Sequence, residues 1–258
     1  VKLVASLIVR NELDRYLKPC LAHLLDFCDE VRVLDDSSDD GTLGYVGGRW
    51  MVGVFAATTD GPSFFAHEGE TRQQLLDWTL RGEPTHVLAI DADEFISDGQ
   101  ALRAALEKNP NHPVFKLCVE EVWHADHDAL SVRYDGGWRP SQAPILYRVD
   151  DPEPSRWRIR NRQLACGREP ERVAKQIGLA RALPVSVLHL GWANEQERAA
   201  RHARYVEHDQ GNFHARAHLA SIMWPDSRVV TRRCPWPASL EPYRELLVER
   251  INRVVAPA

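Results

Sequence analysis

His86-Val87-Leu88-Ala89-Ile90-Asp91-Ala92-Asp93-Glu94-Phe95 is an apolar run of the kind that fills a buried strand, stopped abruptly by two carboxylates at i, i+2. Along a strand that spacing puts Asp91 and Asp93 on one face and Glu94 on the other. In an open α/β sheet, ligands bind in the crevice beyond the carboxyl ends of the strands. The pair therefore stands where a metal-chelated phosphate would sit, and the chain reads as a nucleotide-dependent enzyme.

Working outward, Leu3 to Val9 reads as a buried strand, Leu13 to Leu25 carries helical apolar spacing, and Glu30 to Leu34 is a second strand ending at Asp35-Asp36. Asp36-Ser37-Ser38-Asp39-Asp40-Gly41-Thr42 then makes a polar loop of turn formers and capping residues. Val52 to Ala57 is a third strand, Glu70 to Leu80 a helix, and Val87 to Ile90 the strand that delivers Asp91 and Asp93. Short strands alternating with helices predict an α/β fold with a mainly parallel sheet and right-handed crossovers. Gln100 to Lys108 reads as a helix, Val114 to Val122, Ile145 to Val149 and Val185 to Leu190 as strands, and Leu240 to Val254 as a final helix. A soft boundary near Ala193 divides a catalytic unit, 1–193, from an ordered, tryptophan-bearing helical extension, 194–258.

The chain has 258 residues, enough for one large domain that buries roughly 75% of its unfolded surface. Its 44% hydrophobic and 27% charged residues exclude a disordered or low-complexity protein. No apolar run approaches the ~20 residues of a membrane span. The five cysteines, Cys20, Cys28, Cys118, Cys166 and Cys234, are scattered without a C-x-x-C pair, which disfavours a disulfide framework or a zinc site and predicts reduced thiols in a cytoplasmic protein. A net charge of -5 argues against a general nucleic-acid-binding coat. One local patch is basic: Arg156, Arg158, Arg160 and Arg162 alternate with other residues, which reads either as the solvated face of an edge strand or as a phosphate cradle.

Three elements in order, Val4-Ala5-Ser6-Leu7-Ile8-Val9-Arg10-Asn11-Glu12, Val33-Leu34-Asp35-Asp36-Ser37-Ser38-Asp39-Asp40-Gly41-Thr42 and Asp91-Ala92-Asp93, resemble glycosyltransferase family 2 with its GT-A fold. The resemblance implies a mixed, mainly parallel Rossmann-like sheet and a nucleotide-sugar donor, with a UDP sugar favoured. It gives donor contacts to Asp35, Asp36, Arg72, Asp91 and Ala92, and a Mn²⁺ or Mg²⁺ ion to Asp93, completed by His189 of Val187-Leu188-His189-Leu190-Gly191-Trp192. Asp36 equally suits a turn or cap, and His189 a hydrogen-bonded core histidine.

Most members invert the anomeric centre, which requires a carboxylate base. Asp135 and Glu169 are the candidates for it, with Glu120 and Glu121 behind them. The acceptor reads as a saccharide, a small molecule or a modified base in DNA, the last from the arginine patch. His208, His214 and His218 form a second cluster expected to be structural or acceptor-facing. Two rivals stand beside this reading: a binding protein that has lost catalysis, and a nucleotidyltransferase. The latter would carry a glycine-rich basic loop where this chain has Arg10-Asn11-Glu12.

Overall fold

The computed structural model describes residues 1–49, 51–57, 64–160, 167–208 and 216–253. Four strands, β1 (Leu3–Val9), β2 (Glu30–Asp36), β3 (Val52–Ala57) and β4 (His86–Ala89), form a parallel unit in the order β3-β2-β1-β4. The chain steps outward from β1 to β3 and then returns to the other side of β1. The order thus reverses between β1 and β4, which opens a crevice at their carboxyl ends.

Alternation along these strands decides what each face covers. Leu3, Ala5, Leu7 and Val9 of β1, Val31 and Val33 of β2 and Leu88 of β4 pack on one face with α1 (Leu17–Leu25). In α1, Leu17, Cys20, Leu21 and Leu24 recur at i, i+3, i+4 and i+7, the period of a single buried stripe. Leu34, Val87 and Ala89 point to the opposite face, against Leu75, Leu76 and Leu80 of α3 (Phe64–Leu80). A short helix, α2 (Thr42–Gly47), follows β2 where the sequence reads only as a polar loop.

The rest of the sheet is largely antiparallel. It contains β5 (Glu94–Ile96), β6 (Val114–Ala125), β7 (Ala129–Arg133), β8 (Ser141–Arg148), β9 (Arg181–His189) and β10 (Thr231–Pro235). β8 runs against β4, β6 against β8, β7 against β6 and β10 against β7. β9 leaves this path, parallel to β6 and antiparallel to β5, and its register sets His189 opposite both Glu94 and Glu121. The register alone thus carries His189 to the end of β4.

The remaining helices are α4 (Gly99–Lys108), α5 (Glu171–Ala174), α6 (Glu195–His208), α7 (Arg216–Ile222) and α8 (Arg244–Asn252). Gly99, at the start of α4, lies so close to Phe27 that a Cβ would meet its ring at 2.2 Å. The C-terminal stretch is built into the body: β10 extends the sheet, and Trp236, Leu240, Leu247, Val248 and Ile251 join the main core. Among the described residues no helix is long and apolar enough to cross a membrane. Cys20, Cys28, Cys118 and Cys234 are free thiols, and Cys166 lies outside the described residues.

Candidate active site

The loops after β1 and β2 are stitched together at the crevice. Asn11 N–H donates to Ser38 Oγ at 2.9 Å, Glu12 N–H to Thr42 Oγ1 at 3.1 Å and Leu13 N–H to Asp40 Oδ2 at 3.1 Å. Asn11 and Ser37 hold left-handed backbone, φ 54° and 58°, which short polar side chains tolerate better than bulky ones. Asp36 is fully buried with Arg10 Nη1 3.4 Å from its carboxylate. Asp35 is also buried; its Oδ2 accepts from Ser38 N–H, whereas Oδ1 has no partner among the described residues.

Asp91 and Asp93 do not share a face as strand periodicity predicts, because β4 ends at Ala89 and a turn follows, with Glu94 N–H donating to Asp91 O. The partly exposed Asp91 faces two guanidinium groups, Arg72 Nη1 at 3.9 Å and Arg168 Nη2 at 3.6 Å. Glu94 is buried: Arg168 clamps it through both nitrogens, Nη2 to Oε1 at 2.7 Å, and Asp91 N–H donates to its Oε2. Arg72 is itself steadied by Glu68 one turn back, Nε to Oε1 at 2.9 Å.

Asp93 is buried in a different setting. Arg201 Nη2 donates to its Oδ2 at 2.7 Å, and His189 Nε2 lies 3.5 Å from the same oxygen. The other ring nitrogen, Nδ1, is bonded to Glu121 Oε2 at 2.6 Å. Burial alone would raise the Asp93 pKa, but His189 and Arg201 outweigh it and hold the carboxyl well below the usual range. Burial likewise opposes the charged imidazole, yet Glu121 and Asp93 push His189 well above its ordinary value. His189 thus lies between two carboxylates that both favour its charged form.

A further layer ties this floor to the C-terminal helices. Arg15 bridges Glu12 and Glu197, reaching the latter through two bonds of 3.2 and 3.1 Å, and Arg250 of α8 also binds Glu197. Burial pushes the Glu12 carboxyl up to about 7 against the pull of Arg15, and its Oε2 has no partner among the described residues.

The other sequence candidates are dispersed. Asp135 spends both oxygens on the buried Arg133, at 2.6 and 3.2 Å, whose guanidinium is stacked between Trp123 and Trp138. Glu169 adjoins Arg168, the residue that reaches Asp91 and Glu94. Arg156, Arg158 and Arg160 are exposed while Trp157 and Ile159 are buried, as alternation predicts, but the segment forms no sheet ladder. It docks on α3, where Gln73 bonds the backbone of Trp157 and Ile159. Arg162 lies outside the described residues, as do His214 and the side chain of His208; His218 packs on Trp138, ring centroids 4.6 Å apart.

Sequence reading missed Arg168 and Arg201 and did not connect Glu121 with His189. The available signal was weak: Arg201 is one of several arginines on a charge-rich helix, and only β9 and α6 folding back make it adjacent to Asp93.

Among the described residues no three acidic, histidine or cysteine side chains converge on one point as a metal cage. A two-ligand site does fit. Asp93 Oδ2 and His189 Nε2, 3.5 Å apart, are near enough for one hard divalent ion to bind both once Nε2 has given up its proton, with Glu121 orienting the imidazole from behind.

No protein-family model matches this sequence. No curated protein matches it. Among solved structures, the chain is similar to a 4-diphosphocytidyl-2C-methyl-D-erythritol synthase at 15% identity and TM-score 0.41, covering 71% of this chain and 89% of that one. It is also similar to HddC from Yersinia pseudotuberculosis at 9% identity and TM-score 0.44, covering 74% and 94%. The functional reading rests on the site's own residues.

Proposed function

We propose that this protein is a glycosyltransferase that moves a sugar from a nucleotide-sugar donor, a UDP sugar by preference, to an acceptor hydroxyl. The observation that carries the reading is the meeting of Asp93, His189 and Glu121 at the switch-point crevice, beside an Asp91 flanked by Arg72 and Arg168. This supports the resemblance of the Asp91-Ala92-Asp93 stretch to glycosyltransferase family 2, since the partners such a motif needs come from distant parts of the chain.

In this reading Asp35 and Asp36 accept from the base or ribose of the donor, and the unpartnered Asp35 Oδ1 is a ready acceptor. Arg72 and Arg168 hold the diphosphate, with Asp91 as their counter-ion in its absence. Asp93 and His189 would hold Mn²⁺ or Mg²⁺, whose chemistry is to neutralise charge on the leaving diphosphate. Glu169 is favoured over Asp135 as the base that takes the acceptor proton, because Asp135 is committed to Arg133. The exposed Arg156, Arg158 and Arg160 suit an anionic acceptor, modified DNA among them; a neutral saccharide or small molecule needs no such patch.

A nucleotidyltransferase is the second reading. Against it, the backbone N–H groups of residues 11–13, where a phosphate-cradling loop would present free donors, are bonded to Ser38, Thr42 and Asp40. The test is a panel of nucleotide sugars with Mn²⁺ or with EDTA, with and without hydroxymethylated DNA and simple saccharides, reading nucleoside diphosphate. Release that needs metal and is reduced at least ~10²-fold by Asp93→Asn is expected. Pyrophosphate release from a nucleoside triphosphate and a sugar phosphate would decide for the nucleotidyltransferase, and nucleotide binding without turnover of any donor for a binding protein.

A further inference from the structure

α6 lays Arg201 across the Asp93–His189 pair. Its Nη2 is bonded to Asp93 Oδ2 at 2.7 Å, its Nη1 lies 3.4 Å from His189 Nε2, and its guanidinium stacks over the Trp192 ring at 4.7 Å. Gly191 lies beneath all three groups. A Cβ there would stand 2.3 Å from Asp93 Oδ2, 2.6 Å from Arg201 Nη2 and 2.7 Å from His189 Nε2. The three polar atoms therefore converge on one small space that only glycine leaves open.

Arg201 is not needed to anchor its helix. Asn194 caps α6 by accepting from Glu197 N–H at 3.0 Å and donates to Ile251 O at 2.8 Å. Arg198 is bonded to Trp123 O and Trp192 O at 3.0 and 2.6 Å, and Glu197 is held by Arg15 and Arg250. With the helix held by Asn194, Glu197 and Arg198, the bond of Arg201 to Asp93 has a local purpose. Two of the atoms it touches are the donors that a divalent ion would use, and a guanidinium and a doubly charged ion repel one another when both approach Asp93 Oδ2.

We infer that Arg201 is the built-in counter-cation of Asp93, that a divalent ion enters the site only by displacing it, and that Arg201 thereby sets the site's metal affinity. The inference rests on the metal part of the function proposed above. Without metal, Arg201 keeps the buried carboxylate compensated. Bound metal leaves a tethered guanidinium at the rim of the crevice.

The test is direct Mn²⁺ binding, read as free ion by electron paramagnetic resonance, to the full chain without nucleotide. Arg201→Gln is expected to bind Mn²⁺ about tenfold more tightly, because the ion no longer has to break a charged hydrogen bond. Arg201→Lys, which keeps a cation, stays near the wild type, and Asp93→Asn added to Arg201→Gln abolishes the gain. Arg201→Met is a second neutral variant, with circular dichroism and thermal unfolding selecting the folded proteins. Neutral variants that bind Mn²⁺ no more tightly than a metal-binding wild type overturn the inference and leave the metal reading standing. Absence of Mn²⁺ binding from every protein, with and without UDP, overturns that reading and the inference together.

Discussion

Asp91 and Asp93 are separated by one alanine, yet burial and partners give them different work. Asp93 is compensated inside the protein by His189 and Arg201, whereas Asp91 lies partly exposed between two guanidinium groups that approach it without closing to hydrogen-bond distance. Each guanidinium is already paired with another carboxylate, Arg72 with Glu68 and Arg168 with Glu94, so Asp91 is the more loosely held of the acids they face. The arrangement depends on the Arg168–Glu94 clamp. Removing one partner strands a buried carboxylate, so Arg168→Met should destabilise the fold by about 2–3 kcal/mol, discounted for the partial exposure of the arginine. The double variant Arg168→Met/Glu94→Gln should recover most of that loss. Urea unfolding of the two variants checks this, and a double variant as unstable as the single one would show that the clamp is not the source. None of this was legible in the sequence, where Glu94 and Arg168 are ordinary charged residues whose meeting depends on the 167–170 loop reaching β4.

At the scale of elements, β1, α1 and β3 were readable because their hydrophobic periods are uninterrupted and local. β5 was missed because three residues carry no period. α2 is six residues long and hides among turn formers. The i, i+2 argument for the two carboxylates failed for a related reason: a strand's end is set by its neighbours rather than by its own alternation.

One element interaction can be tested by pH. His23 of α1 accepts a hydrogen bond at Nε2 from Ile96 N–H of β5, 3.2 Å, and burial lowers its pKa from 6.5 to about 4. Between those values the unfolded chain binds the proton and the folded chain does not, so stability contributed by neutral His23 is present above pH 6.5 and lost as pH falls toward 4. The slope is about 1.4 kcal/mol per pH unit at most. His23→Leu should flatten the urea-unfolding free energy over that window relative to the wild type. An unchanged slope would mean that His23 does not titrate there.

For the whole molecule, the sheet order places the crevice and the C-terminal stretch completes its floor. The parallel half, β3-β2-β1-β4, supplies Asp35, Asp36, Asp91 and Asp93; β9 supplies His189, β6 Glu121 and α6 Arg201. The first set was visible as motifs, because strand ends and acidic residues coincide in sequence. Of the second, His189 was named through the family resemblance and Glu121 only as a candidate base; Arg201 and the convergence of all three depend on long-range register and helix packing, for which a single sequence carries little signal. The proposed function requires that this crevice bind a nucleotide donor. Calorimetric titration of UDP with Mn²⁺ into the wild type, Asp36→Ala and Asp91→Ala tests it most directly. One UDP per chain is expected, with affinity at least about tenfold weaker in each variant. No binding of any nucleoside diphosphate to the wild type, or equal affinity in all three proteins, would contradict it.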